Sequence, residues 1–367
     1  MYERLRPLLF RLEAERAHNI GSLAARVGQR LGAGLLRRQF EFESDRLRTS
    51  VFGLDFRNPV GIAAGFDKNA RLIPFWHAAG CGFAEVGSVT ALRSRGNKKP
   101  RAFRLPDDQA LINRMGLNNQ GARRIAKRLE GATPFPLPIA VSLAKTHDPS
   151  IFGNAATDDF EASFAACAPF ASVIVLNLSC PNTAEGRTFE DPNALDDLLG
   201  RIVPLRASLP NRPPILLKLS PPIADKVVLD SEVDEIVSVA RAHAVDGFVA
   251  SNTDSSRDRL QTSGEVLAGI GRGGVSGAPV RARSTELVRY LYRQTSGSMP
   301  IIGVGGVGCG QDAYDKIRAG ASLVQLYTSM IYRGPSVFRE IKRELDALLE
   351  QDGFVSVSEA VGVDAAE

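Results

Sequence analysis

Two carboxamides and a thiol stand close together after one apolar run of this chain. The run Val173–Leu176 is rich in β-branched residues, which predicts a buried parallel strand, and Asn177, Cys180 and Asn182 follow it. Carboxamides donate and accept hydrogen bonds together, so they suit a planar polar ring, and a thiol can act as a nucleophile or accept a proton. Pro181 prevents the strand from continuing, which predicts that these groups lie at a strand end. The alternative is a turn with a buried structural cysteine, because free cysteine behaves as a small apolar residue.

Seven further apolar runs are followed by polar residues in the same way. The predicted strands are Val60–Ala64, Phe83–Val89, Ile139–Leu143, Val173–Leu178, Ile215–Leu219, Gly247–Ala250, Ile301–Val304 and Leu323–Leu326. Stretches with helical periodicity separate most of them. Eight such units predict an α/β fold, a (β/α)8 TIM barrel, in which catalytic groups lie at the carboxyl ends of the strands. A doubly wound sheet is the alternative, but it rarely needs eight regular units.

Two further features indicate an anion or a ring at these strand ends. Lys218 lies within the apolar run of a predicted strand, which favours a buried cation beside a ligand over a solvated surface charge. The segment Gly303–Gly308 matches G-x-G-x-x-G, but no acidic residue follows about 20 positions later, so a dinucleotide site is not supported. Glycines after a seventh strand and hydroxyls after an eighth instead predict a phosphate site.

Composition excludes several classes of protein. Of 367 residues, 44% are hydrophobic and 23% charged, and the net charge of +4 is too small to indicate a nucleic-acid partner. The four cysteines form no CxxC motif, so neither a metal site nor a disulfide framework is expected, and a reducing environment fits. We also expect no signal peptide and no membrane-spanning helix.

The first forty residues differ from the rest of the chain. They contain eight arginines against three glutamates, a surplus of five positive charges. Leucines recur at helical spacing from Leu5 to Leu12, and a second apolar stripe runs from Leu23 to Leu35; Gly21 and the segment Gly32–Gly34 are the expected breaks. This pattern predicts two short basic amphipathic helices that suit a membrane surface. The alternative is a helical cap on the main domain.

The boundaries follow from these changes in pattern. We predict a helical extension over residues 1–40, a barrel over 41–350 and a C-terminal tail over 351–367. Arg93–Asn119 is long for a connecting loop and predicts an active-site insertion, and the Gly-rich Asp254–Val280 predicts a mobile loop near the barrel mouth.

Taken together, the chain resembles the dihydroorotate dehydrogenases, and within them the membrane-associated, quinone-reducing class 2. The resemblance covers nearly the whole sequence. The motifs that carry it are Arg6–Phe10, Glu15–His18, Ala63–Lys68, Gly96–Arg101, Phe103–Leu105, Ile112–Asn119, Asn177–Thr183, Ser251–Thr253, Gly273–Gly277, Gly303–Val307 and Gln325–Tyr327.

The resemblance implies a bound FMN, a dihydroorotate site and a quinone tunnel. The residues it implies for FMN are Ala64, Gly65, Lys68, Ser88, Ser142, Asn177, Lys218, Ser251, Gly277, Gly306, Tyr327 and Thr328, the last two with the two glycines at the phosphate. Those it implies for the substrate are Lys68, Asn113, Arg114, Met115, Gly116, Leu117, Asn177, Asn182, Asn252 and Thr253. Arg104 and Tyr327 match positions that line the tunnel, which runs between the N-terminal helices.

The implied reaction is the oxidation of (S)-dihydroorotate to orotate in pyrimidine biosynthesis. Cys180 matches the catalytic base that removes the C5 proton, while hydride leaves C6 for FMN, which a quinone then reoxidises. Four carboxamides and a cation suit a flat, amide-rich carboxylate. The resemblance further implies peripheral attachment to the cytoplasmic face of the inner membrane through the N-terminal helices, with no nucleic acid and no obligate protein partner.

This chain departs from the class 2 pattern at three places. Cys180 stands where class 2 usually has serine, as in the soluble class 1. Ser142 stands where the family usually has an FMN-binding asparagine, and the segment Ala184–Asp191 is longer than usual. The alternatives are a soluble dihydroorotate oxidase or another FMN barrel acting on a dihydropyrimidine or dihydrouridine. A third alternative is a non-catalytic, membrane-associated scaffold built on the same barrel. Such a scaffold would not require Lys68, Lys218 and the strand-end asparagines.

Overall fold

The computed structural model describes residues 2–178, 188–221 and 231–365. Its strands are β1 (Thr49–Val51), β2 (Leu54–Phe56), β3 (Val60–Ile62), β4 (Phe83–Val89), β5 (Ala102–Leu105), β6 (Ala110–Asn113), β7 (Ile139–Leu143), β8 (Val173–Asn177), β9 (Ile215–Leu219), β10 (Gly247–Ala250), β11 (Gly274–Gly277), β12 (Ile301–Val304) and β13 (Ala321–Leu326). Eight of these, β3, β4, β7, β8, β9, β10, β12 and β13, pair in parallel in that order and close into a barrel. The predicted (β/α)8 barrel and its eight strands are therefore confirmed.

Helices surround the barrel. In chain order they are α1 (Tyr2–Phe10), α2 (Ala14–Leu31), α3 (Ala33–Phe40), α4 (Ile73–Ala78), α5 (Ala122–Glu130), α6 (Asn154–Cys167), α7 (Pro192–Ser208), α8 (Ser231–Ala242), α9 (Gly264–Ile270), α10 (Arg281–Thr295), α11 (Gly310–Arg318), α12 (Thr328–Arg333) and α13 (Val337–Gln351). The described residues also contain five short 3-10 helices, four between these helices and one after α13, at Asp45–Leu47, Ala168–Phe170, Thr188–Glu190, Ala278–Val280 and Val357–Ala360.

The inner face of the barrel is built from alternate residues of each strand, because successive side chains of a strand point to opposite faces. Phe83, Val175 and Leu216 belong to one apolar cluster inside the barrel. The hairpin of β1 and β2 contributes Val51 and Phe56 to the same cluster. The other face of each strand belongs to the larger cluster shared with the surrounding helices. Apolar residues fill most of the interior, so most of the polar side chains lie towards the carboxyl ends of the strands.

Two long connections form a small second sheet rather than loops. The predicted insertion Arg93–Asn119 contains β5 and β6, and β11 pairs antiparallel with β6. The prediction of a loop over Asp254–Val280 is wrong for its second half, where α9 and β11 form. The physical reason is a local apolar core, in which the side chains of Ile112 and Val275 are buried together.

The N-terminal extension contains three helices, so the prediction of two was wrong. Gly21 lies within α2 and does not interrupt it, so that expected break is wrong. The break expected at Gly32–Gly34 is confirmed, because Gly32 separates α2 from α3. The apolar stripe predicted there is exposed to solvent, with Leu23, Val27 and Leu31 among the exposed side chains. In the described part of the chain, no helix combines the length and the hydropathy that crossing a membrane requires.

The residues predicted as a C-terminal tail pack against the barrel as far as the structure describes them. Val357 and Ala360 are buried, and the guanidinium of Arg318 lies 2.6 Å from a carboxylate oxygen of Asp364. This contact attaches the end of the chain to α11.

Candidate active site

A single cavity of about 1030 Å³ runs from the carboxyl ends of the barrel strands to the N-terminal helices. Asn113, Asn177 and Asn252 line it at the barrel end, and Leu5 and Ile20 line it between the helices. One end is therefore rich in amides and the other in aliphatic side chains. Such a cavity can hold a polar ring at one end and an apolar ligand at the other.

Most residues predicted for the site share this cavity. Its walls include Ala64, Gly65, Lys68, Ser88, Arg104, Asn113, Met115, Gly116, Leu117, Asn177, Lys218, Ser251, Asn252, Thr253, Gly277, Gly306, Tyr327 and Thr328. Of the predicted residues that the structure describes, Arg114 and Ser142 do not line the cavity. Arg114 points away, donates to the carbonyls of Ile270 and Arg272 and stacks on Phe103. The predicted base Cys180 and the predicted ligand Asn182 lie outside the described residues.

The strand-end amides form a connected hydrogen-bond chain. Asn252 Nδ2 donates to Asn177 Oδ1 at 3.2 Å, and Asn177 Nδ2 donates to Ser88 Oγ at 3.0 Å. Ser142, the other predicted residue that does not line the cavity, is fully buried behind Ser88, with 2.9 Å between the two hydroxyl oxygens. Ser142 can therefore act on a ligand only through Ser88. The chain orients both carboxamides before any ligand binds, which reduces the cost of ordering them.

Lys68 supplies a cation at the same end of the cavity. Its Nζ donates to the carbonyl of Gly65 at 2.5 Å, within the turn that follows β3. Burial lowers the pKa of Lys68 to about 8, while the nearby Glu15 carboxylate opposes that change and Arg101 adds to it. The side chain is thus charged at neutral pH but close to its titration range, and it can pair with the carboxylate of a ligand.

Three polar side chains lie inside the barrel below the amides. Lys218 Nζ is 3.5 Å from Glu85 Oε1, and Gln325 Nε2 donates to Glu85 Oε2 at 2.8 Å. Gln325 Oε1 is buried and has no hydrogen-bond partner among the described atoms. The sequence analysis assigned a site role to Lys218 but none to Glu85 or to Gln325, which it named only within a family motif. Both show the same signal as Lys218, a polar residue within an apolar strand.

A turn and two helix N-termini surround the end of the cavity predicted to bind phosphate. Gly305 and Gly306 follow β12 with φ of 120° and 73°, and Gly277 ends β11 with φ of 106°. A Cβ on Gly306 would lie 2.3 Å from the Cβ of Arg281, and one on Gly277 would lie 2.3 Å from a backbone oxygen. Because only glycine fits these positions, the backbone can approach a ligand closely. Thr328 begins α12, and its hydroxyl donates to Ser276 at 2.9 Å.

Aromatic rings line the cavity towards its apolar end. Phe66 packs edge-on against His18 and Tyr327, with ring centroids 4.8 Å and 5.6 Å apart. Burial and the charge of Lys68 lower the pKa of His18 to about 3, so its imidazole is neutral at physiological pH. Arg104 stacks on Phe10 and donates to the carbonyl of Leu9 at 3.1 Å, which holds the end of α1 at the cavity wall.

The described residues contain no cluster of three or more His, Cys, Asp or Glu side chains that could hold a metal ion.

Comparison with known proteins gives a consistent result. The family model described as dihydroorotate dehydrogenase matches residues 46–349. A protein named dihydroorotate dehydrogenase (quinone) from Roseiflexus sp. is 42% identical and covers 99% of this chain and 98% of its own length. The mitochondrial protein of that name from Mus musculus is also 42% identical, with 99% and 90% covered. The crystal structure of the Eimeria tenella DHODH in complex with ferulenol has a TM-score of 0.85 at 33% identity, with 97% of this chain and 98% of that chain covered.

Proposed function

Because this chain belongs to the dihydroorotate dehydrogenase family, we propose that it oxidises (S)-dihydroorotate to orotate with a quinone as electron acceptor, a step of de novo pyrimidine synthesis. The observation that carries this proposal is the continuous cavity. It joins an amide-lined pocket, which suits a flat and polar carboxylate, to an apolar opening between the N-terminal helices, which suits a quinone.

The residues present fit FMN as the cofactor. Gly277 and Gly306, where an added Cβ would clash, form a glycine cradle beside the first residues of α10 and α12. Such a cradle suits a phosphate. The unpartnered Gln325 Oε1 and the buried Lys218 suit a polar ring at the barrel end. The residues that would hold FMN are Ala64, Gly65, Lys68, Ser88, Asn177, Lys218, Ser251, Gly277, Gly306, Tyr327 and Thr328, with Ser142 acting through Ser88. When bound, FMN supplies reversible two-electron redox chemistry.

The chain's own residues then bind the substrate and move its proton. Asn113, Asn177 and Asn252 present matched donors and acceptors to the substrate ring, and Lys68 offsets its carboxylate charge. Cys180 is the proposed base that takes the proton from C5, because a thiol needs less help to deprotonate than a serine hydroxyl. Asn182 is proposed to bind the substrate beside it.

We further propose that the N-terminal helices attach the enzyme to the cytoplasmic face of the inner membrane. Exposed leucine and valine side chains along α2 and α3, together with the surplus of arginines in residues 1–40, support this proposal. Attachment at these helices brings the apolar opening of the cavity to the lipid, from which a quinone can diffuse in.

The experiment that tests the function separates its two half-reactions. Purified protein is mixed anaerobically with dihydroorotate while its flavin absorbance is followed, and a short-chain quinone is then added. We expect bleaching followed by recovery. Recovery with fumarate or NAD but not with quinone would instead indicate the soluble type of acceptor. A yellow protein that dihydroorotate does not bleach would contradict the proposed substrate.

The cofactor proposal has its own test in Gly306→Ala. The added methyl group would lie 2.3 Å from Arg281 Cβ, so we expect the purified variant to contain much less flavin per polypeptide. Gly353→Ala is the matched control, because Gly353 has a similar φ of 79° but no atom within 4 Å of the new Cβ. Equal flavin content in both variants would contradict the phosphate assignment.

A further inference from the structure

One buried residue of α2 is a carboxylate rather than an apolar side chain. Along this 18-residue helix, the residue that the structure buries is Glu15. Its two oxygens accept from Arg101, with Nε to Oε2 at 2.9 Å and Nη2 to Oε1 at 2.7 Å. Lys99 Nζ lies 3.3 Å from the same carboxylate. Burial opposes ionisation of Glu15, but the hydrogen bonds and charge of Arg101 hold its pKa below the usual range.

The remaining donors of Arg101 face the opposite direction. Its Nη1 donates to the carbonyls of Arg95 at 2.8 Å, Asn97 at 2.9 Å and Met115 at 3.4 Å. Arg101 is only 5% exposed, and its guanidinium thus binds α2 on one side and two segments of the barrel insertion on the other. The donor directions of the planar guanidinium cannot change independently. A shift of α2 therefore changes the hydrogen bonds that Arg101 makes to the insertion.

The two segments held by Arg101 are packed as closely as glycine allows. A Cβ on Gly96 would lie 2.2 Å from the carbonyl oxygen of Met115, and a Cβ on Gly116 would lie 2.7 Å from the backbone nitrogen of Asn97. Asn97 also donates from its backbone to Met115 O at 3.1 Å. Residues 113–117 therefore move only if the segment around Asn97 moves with them. Met115, Gly116 and Leu117 line the polar end of the cavity.

We infer that Glu15 and Arg101 are positioning residues that couple the docking of the N-terminal helices to the segment Asn113–Leu117, so that the extension sets the affinity for dihydroorotate as well as access for quinone. This inference rests on the proposed function for the identity of the ligand. Glu15 reaches no part of the substrate segment itself and acts through Arg101.

The kinetic test compares Glu15→Gln with Glu3→Gln, which removes the same charge from an exposed position of α1. Flavin reduction is titrated with dihydroorotate under anaerobic conditions, and reoxidation is titrated separately with a short-chain quinone. We expect the half-saturating concentration of dihydroorotate to rise on the order of tenfold in Glu15→Gln and to stay unchanged in Glu3→Gln. A change confined to the quinone titration would overturn the inference.

A second variant excludes a purely electrostatic effect through Lys68. Arg101→Lys keeps both charges but loses the fork of donors, so coupling by position predicts the same rise in the half-saturating concentration. An unchanged value in Arg101→Lys would overturn the inference.

A third measurement needs no substrate. Amide hydrogen exchange of residues 113–117 in the FMN-loaded enzyme should be faster in Glu15→Gln and Arg101→Lys than in the wild type and Glu3→Gln. Equal exchange would overturn the coupling. If dihydroorotate fails to bleach the wild-type flavin, the proposed function fails, and the exchange measurement alone then decides the coupling.

Discussion

Lys218, Glu85 and Gln325 occupy the inner face of a barrel whose other inner residues are mostly aliphatic. A buried carboxylate is tolerated only when it is paired and hydrogen-bonded, and Glu85 has both a cation and an amide donor. Such a pair contributes little net stability, so its presence next to the cavity points to a role towards the ligand. Gln325 also lines the cavity, and its Oε1 has no hydrogen-bond partner among the described atoms.

At the same scale, Cys180→Ala tests the proposed base. Because the thiol is proposed to remove the C5 proton, we expect flavin reduction by dihydroorotate to slow by about 10²–10⁴-fold, with bound FMN retained. Stopped-flow absorbance measures this rate. Cys309→Ser is the control, because Cys309 does not line the cavity, and its rate should be unchanged. A near-normal rate in Cys180→Ala would remove the thiol from the mechanism.

The pKa of Lys68 predicts that kcat/KM for dihydroorotate depends on pH. Its pKa near 8 means that the side chain is charged below this pH and loses its proton above it. Since the charged form pairs with the substrate carboxylate, kcat/KM for dihydroorotate should fall about tenfold per pH unit above pH 8, once the contribution of Cys180 is cancelled. Dividing kcat/KM of the wild type by kcat/KM of Lys68→Arg cancels the contribution of Cys180, which both enzymes share. The ratio then reports the titration of Lys68 alone, because arginine stays charged. A pH-independent ratio would contradict the role of Lys68, and Lys98→Arg serves as an exposed control.

At the scale of elements, the N-terminal helices present apolar residues in two directions, which their sequence pattern does not distinguish. One face lines the cavity through residues such as His18 and Ala24, and the other exposes Leu23 and Val27. An amphipathic helix normally has one apolar face, whereas α2 has apolar residues towards both the cavity and the solvent. This arrangement supports the proposed place of α2 between a membrane surface and the apolar end of the cavity.

The double variant Leu23→Asp/Val27→Asp tests the membrane role of α2. Both side chains are about half exposed, at 58% and 49%, so the change should not disturb packing. We expect co-sedimentation with vesicles containing anionic phospholipid to weaken on the order of tenfold or more, with reduction of a water-soluble quinone maintained. Val355→Asp, at an exposed position outside the extension, should sediment as the wild type does. Undiminished binding by the double variant would contradict the membrane role.

Across the whole molecule, the residues that stabilise the closed barrel and the residues that line the cavity lie at opposite ends of the strands. The amino ends of the strands are filled by Phe83 and by Phe56 of the β1–β2 hairpin, whose rings meet edge-on at 5.7 Å. The carboxyl ends are left open and carry the amides, the lysines and the glycine cradle. Substitutions inside the barrel should therefore affect unfolding first, and those at the mouth should affect ligands first.

Phe83→Ala tests this separation. The side chain is 2% exposed and fills the space above Gly61, so we expect a loss of about 3–5 kcal/mol in the free energy of unfolding. Denaturant unfolding followed by the fluorescence of the single tryptophan, Trp76, measures it. Leu92→Ala, at an exposed position, should change stability by less than about 0.5 kcal/mol. A similar loss in both variants would contradict the assignment of Phe83 to the core.

Much of this architecture follows from the sequence alone. Apolar runs of four to seven residues, each followed by polar groups, determine the eight strands and the end at which chemistry occurs, because these are local properties of the chain. The strand-end asparagines, Lys68 and Lys218 were predicted for the same reason. The family motifs identify the type of reaction, since their residues are read directly from the sequence.

Only the tertiary structure decided which distant residues meet. That Glu85 faces Lys218, 133 positions away, depends on barrel closure and strand register, which no local pattern records. The pairing of β11 with β6, which turned a predicted loop into a sheet, depends on a core shared by two connections. The contact of Glu15 with Arg101 likewise depends on how α2 docks. Local periodicity determines elements, whereas long-range packing determines which of their side chains touch.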